Sequence, residues 1–136
     1  MKVSHENPPM LDRILGAGMR PDMDRVVFTY GDTVYVPSGR ELPDYLLVHE
    51  SAHSRQQGAD PGAWWMRYTT DRYFRLSQEV EAYAAQYDFM CGHVRDRNRR
   101  AGVLVEIANV LAGPTYGEMV SVMDALKMVK DKSKTK

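Results

Sequence analysis

The sequence predicts an α+β fold, a mainly helical, minimal domain with a small β-hairpin just ahead of its central helix. Three observations support it. Segments beginning near residues 43, 71, 102 and 118 repeat their apolar residues at helical spacing. Residues 25–36 instead hold two short runs of β-branched and aromatic residues around Gly31-Asp32. The chain has 136 residues, which suits one domain that buries roughly two-thirds of its unfolded surface.

Residues 1–24 contain Pro8, Pro9, Gly16, Gly18 and Pro21 and a short apolar patch at Leu11, Ile14 and Leu15, so one brief helix between loops is expected. RVVFTY (25–30) and TVYV (33–36) then form a hairpin closed by Gly31-Asp32. Its exposed edge can either pair with an extended peptide or simply cover the core. Pro43-Asp44 starts the next helix, with proline tolerated in the first turn, and Gly58 ends it. Asp60-Pro61-Gly62 reads as a turn. The aromatics Trp64, Trp65, Tyr68, Tyr73 and Phe74 read as core, with one or two of them available to line a cleft. A long helix is expected over 71–94, and the charged run 95–100 reads as a solvated loop or helix end. An apolar helix over 102–112 is broken by Gly113-Pro114 and followed by a last helix over 118–129. A single domain is thus expected over residues 1–129, with a flexible basic tail at 130–136.

The chemistry lies in Leu46-Leu47-Val48-His49-Glu50-Ser51-Ala52-His53, an HExxH motif. Each helical residue turns the chain by about 100°, so His49 and His53 lie roughly 40° apart and can reach one metal ion. Glu50 stands beside them, placed to touch a water on that ion. Zinc takes nitrogen and oxygen ligands, leaves one position open in catalytic sites, and lowers the pKa of its water to about 7. Glu50 is the expected base that takes a proton from this water and passes it to the departing amine.

A third ligand is expected from the 71–94 helix. Leu76, Val80, Tyr83, Tyr87 and Met90 form its apolar stripe, and Glu79 borders them. Glu81 lies about 200° around from Glu79 and reads as solvent-facing. A buried carboxylate needs a partner, and a metal ion is a sufficient one. The expected ligands are therefore His49, His53 and Glu79 on Zn2+, with Glu81 as the alternative to Glu79.

HExxH followed by a glutamate on a second helix resembles the glutamate-zincins, the broad thermolysin-like clan of metallopeptidases. Glu79-Val80-Glu81-Ala82-Tyr83 is similar to the E-x-x-A-[DN] element of its small members, in which the first glutamate is a ligand. Tyr83 departs from that element, standing where an Asp or Asn supports a metal-bound histidine. The support then falls to the Tyr83 hydroxyl, to Asp88 or to a backbone carbonyl. The order hairpin, LLVHExxHxxQQ, WWxRY, FRLxxExEAYxxQ and GPxYG is also similar to small peptidases of phage and prophage genomes, over roughly residues 25–125. The resemblance further implies a Tyr, His or Arg that hydrogen-bonds the oxyanion. Tyr83, Tyr116 and His93 are the candidates, His93 lying some 20 Å along the helix from Glu79. Cys91 follows the motif, whereas deformylase-like sites place their cysteine upstream.

Composition narrows the alternatives. Eighteen basic and eighteen acidic residues give no net charge, so nothing directs the chain to nucleic acid or an anionic membrane. No run approaches the ~18 apolar residues of a membrane span, and MKVSHENPPM lacks the apolar core of a secretory signal. The lone Cys91 excludes an internal disulfide and suits a reducing compartment, so a cytoplasmic protein is expected. The expected function is zinc-dependent peptide-bond hydrolysis, by Glu50-assisted attack of a zinc-bound water on a peptide or protein substrate. The alternative is a catalytically weak zinc-containing binding or regulatory protein, for example a phage assembly or repressor-interacting factor.

Overall fold

The computed structural model describes residues 1–135; Lys136, the last residue of the expected tail, lies outside them. Six α-helices and a three-stranded sheet are present among the described residues, in keeping with the expected helical α+β class. The strands are β1 (Lys2–Ser4), β2 (Phe28–Tyr30) and β3 (Thr33–Tyr35), and the helices begin with α1 (Leu11–Gly16). β2 and β3 form the hairpin, antiparallel with Thr29 opposite Val34. Gly31 closes it at φ 63°, a left-handed conformation that glycine adopts without a Cβ penalty. β1 adds a third strand parallel to β3, in the order β1-β3-β2, within a segment expected to be loop. Three residues are too few for their alternation to stand out from a loop, so this pairing was invisible locally.

α2 (Asp44–Gln57) carries the HExxH motif and ends at Gly58, φ 56°. α3 (Pro61–Thr70) replaces the expected turn. The Asp60 side chain accepts from the Ala63 N–H and Pro61 occupies the first helical position, so Asp-Pro here is a helix start. Gly62 sits inside that first turn, packed near the Tyr30 hydroxyl. α4 (Arg72–Cys91) is capped by Asp71, which accepts from Tyr73 and Phe74 N–H. α5 (Arg97–Leu111) starts five residues before expected, because Asp96 accepts from the Asn98 N–H and draws the charged run into the first turn. A 3-10 turn, Pro114–Tyr116, leads to α6 (Val122–Lys132), which Ser121 caps. α6 thus begins four residues later than expected and runs beyond residue 129. The tail that follows is anchored: Ser133 is buried, and Asp88 accepts from the Lys134 and Thr135 N–H groups at 3.0 and 3.2 Å.

Two apolar clusters make the core. In one, Tyr83, Ala84, Tyr87 and Cys91 of α4 meet Leu104, Ile107, Ala108 and Leu111 of α5 and Ala125 and Val129 of α6. In the other, Met10, Ile14 and Met19 close over Phe28, Trp64, Trp65 and Tyr68. Ile14, Met19 and Leu111 are fully enclosed, each contributing on the order of 1.5–3 kcal/mol through burial. α2 and α4 meet between the clusters, so the histidines of α2 touch Tyr83 of one and Trp64 of the other. No helix is long and apolar enough to cross a membrane.

Candidate metal centre

One turn of α2 and one residue of α4 converge in this layer. His49, His53 and Glu79 are 3%, 5% and 2% exposed and form a group able to hold a metal ion. His49 Nε2 lies 3.1 Å from His53 Nε2 and 3.2 Å from Glu79 Oε1, while His53 Nε2 lies 3.1 Å from Glu79 Oε2. One face of a tetrahedron with metal–ligand bonds of ~2.0–2.1 Å has edges of roughly 3.3 Å, so these atoms match its dimensions.

Proton bookkeeping at the rings strengthens the case. Gln56 Nε2 donates to the Gln78 carbonyl at 3.0 Å and to Glu81 at 3.2 Å, which fixes the orientation of its amide. Its Oε1 then faces His53 Nδ1 at 2.8 Å as an acceptor, so that nitrogen carries the proton. Gln86 Oε1 faces His49 Nδ1 in the same way at 3.1 Å. Both Nε2 lone pairs of the neutral rings consequently point at each other and at a carboxylate. Three acceptors so placed are satisfied by a metal ion or, without one, by a proton held among them. Glu79 Oε1 is the one buried side-chain nitrogen or oxygen, among the described residues, with no aligned hydrogen-bond donor. The donor set of two imidazoles and a carboxylate suits zinc and other divalent transition metals alike.

Without an ion, charge is balanced by a proton. Burial disfavours the imidazolium of His53, yet the neighbouring Glu79 carboxylate overrides it and pushes the pKa up to about 9. Burial likewise opposes ionisation of Glu79, but His53 and His49 hold its carboxyl well below the usual carboxylate range. Tyr68, also buried, donates its hydroxyl to Glu79 Oε2 at 2.6 Å, steadying the carboxylate from the α3 side.

Glu50 lies beside this group but outside it. Its Oε2 is 3.7 Å from His49 Nε2, and its Oε1 accepts from the Thr29 hydroxyl at 2.8 Å. Burial raises its pKa above the ordinary carboxylate value, against the pull of His49 and His53. β2 is bound to α2 by Gln57, whose Nε2 donates to the Thr29 carbonyl and whose Oε1 accepts from the Gly31 N–H. Ser54 and Trp65 donate to the Gly31 and Thr29 carbonyls. These side chains take up the Thr29 carbonyl and the Gly31 N–H and carbonyl on the outer edge of the hairpin, so most of this stretch is tied to α2 and α3.

Glu79, the expected third ligand, meets the histidines, and Glu81, the alternative, is exposed and holds Gln56 instead. Other expectations change. Histidine support comes from Gln86 and Gln56, not from Tyr83 or Asp88: the Tyr83 hydroxyl bonds Tyr116 at 2.7 Å, and Asp88 anchors the C-terminal segment. Tyr83 instead packs its ring 4.3 Å from that of His49. His93 bonds the Phe89 carbonyl at the exposed end of α4, away from the site. Tyr83 and Tyr116 both line a hollow that also touches His49 and Glu50. Thr29, Gln56, Tyr68 and Gln86 are the residues that sequence reasoning did not assign. Gln56 and Gln86 did carry a signal, one standing three residues after His53 and the other seven after Glu79, on the same helical faces.

Compared with protein-family models, curated proteins and solved structures, the chain matches none.

Proposed function

We propose that the protein is a zinc-dependent peptidase. The observation that carries this reading is the triangle of His49, His53 and Glu79 acceptors with a carboxylate, Glu50, next to it and not part of it. A purely structural site has no use for that extra buried acid. Zinc held by the three residues supplies Lewis acidity, polarising a carbonyl and acidifying a water to a pKa of about 7. Glu50 takes the proton from the attacking water and delivers it to the leaving amine, with Thr29 holding its carboxylate in place. Gln56 and Gln86 keep both Nε2 atoms turned inward. In the Tyr83–Tyr116 pair one hydroxyl donates to the other, and the acceptor's own proton is free for an oxyanion in the adjoining hollow.

The test is metal content in protein purified without added ions, followed by hydrolysis of a peptide library. About one zinc per chain is expected, lost in His49→Ala and Glu79→Ala. Glu50→Gln should keep the zinc and lose turnover by roughly 100-fold or more. Undiminished turnover in Glu50→Gln would overturn the mechanism, and absence of zinc uptake would overturn the site.

One observation favours a second reading, a zinc-containing binding protein without turnover. The cavity against the ligands measures only about 30 Å³, room for roughly one water. Azide added to cobalt-loaded protein separates the two. A changed visible spectrum means an open ligand position, and an unchanged one means a closed structural centre.

A further inference from the structure

The small cavity at the ligands adjoins a larger space on one side. A hollow of about 250 Å³ touches His49 and Glu50 and is walled by Val26, Leu46, Tyr83, Val110 and Tyr116. It shares Leu46, Tyr83 and Val110 with a second hollow of about 590 Å³ that continues along α5 past Ile107 to Val103. The two form one groove leading from Glu50 along the face of α5. Val110 lies where they meet and is 48% exposed, a large apolar side chain for which the fold provides no cover. From Val103 to Val110 the helix rises roughly 10 Å, the length of about three residues of extended peptide. Arg25 and Arg40 stand on the rim beside Asp22, Asp24 and Glu106, so the rim carries both signs. What distinguishes the groove is its apolar wall.

We infer that this groove is the substrate subsite. It takes an extended peptide for about three residues on one side of the scissile bond and seats a bulky apolar side chain against Leu46, Tyr83 and Val110. This inference rests on the peptidase reading and narrows it to oligopeptides with an apolar residue close to the cleaved bond. On the β2 side the Thr29 carbonyl and the Gly31 N–H and carbonyl are already taken by Gln57, Ser54 and Trp65, so the α5 side is the roomier approach to Glu50.

The experiment uses the zinc-loaded full chain and three probes that bind metal without needing turnover: acetohydroxamate, triglycyl hydroxamates and trileucyl hydroxamates. The peptidyl probes carry the hydroxamate at either end. Binding of acetohydroxamate reports the open metal site alone; if it fails, the peptidase reading fails with it. Given that binding, a trileucyl probe of one polarity is expected to bind at least tenfold more tightly than its triglycyl counterpart. Val110→Asp, on an exposed helix position, should abolish that preference while leaving zinc content and acetohydroxamate affinity unchanged. Equal affinity for leucyl and glycyl probes, or a leucyl preference that survives Val110→Asp, would overturn the subsite and leave the metal centre standing.

Discussion

Gln56 and Gln86 hold the histidine rings by Nδ1, and each rotates an Nε2 toward the Glu79 carboxylate. Removing such support typically lowers metal affinity by about 10–100-fold, so Gln86→Leu and Gln56→Leu should both weaken zinc in a competition titration. The larger effect is expected for Gln56, because its amide is itself fixed by Gln78 and Glu81 and so pre-orients the ring. At this scale the sequence is most readable where spacing is local. His49, Glu50 and His53 share one turn of helix, and their relation follows from 3.6 residues per turn. Thr29 reaches Glu50 across 21 residues and Gln86 reaches His49 across 37, and no periodicity within either segment links such pairs.

Among the elements, caps decide where helices start. Asp60 converts an apparent Asp-Pro-Gly turn into the first turn of α3, and α3 brings Trp64, Trp65 and Tyr68 to the site. Asp60→Ala should cost about 1 kcal/mol, read as a lowered denaturation midpoint with unchanged slope. The C-terminal segment has its own switch. Asp88 works against partial burial, yet the Ser133 hydroxyl and the Lys134 and Thr135 N–H groups hold its pKa below the ordinary 3.8. A depressed carboxylate contributes stability that is present above its unfolded value and fades as pH falls through the folded one. The Thr135 amide resonance should therefore hold its docked position at neutral pH and move toward a free-chain position only below about pH 4. Asp88→Asn should loosen the segment at every pH. The apolar pattern alone could not reveal this anchoring, since one aspartate 45 residues upstream supplies it.

In the whole molecule, the metal layer lies between two apolar clusters, and the ion would join α2 to α4. Anything that binds the native state alone stabilises it by mass action, about 4 kcal/mol when free metal is 1,000 times its dissociation constant. Chelation should then lower the melting temperature by on the order of 10 °C, and Glu79→Ala should remove most of that difference. The two histidines, their intervening glutamate and the face on which Glu79 lies were all legible in the residues, because helical phase is a local property of the chain. Whether α4 approaches α2 so that Glu79 and not Glu81 meets the histidines was decided by packing. So were the tie of Thr29 to Glu50 and the groove beside α5. Those relations depend on how distant helices bury their apolar faces together, a long-range outcome that no single segment encodes.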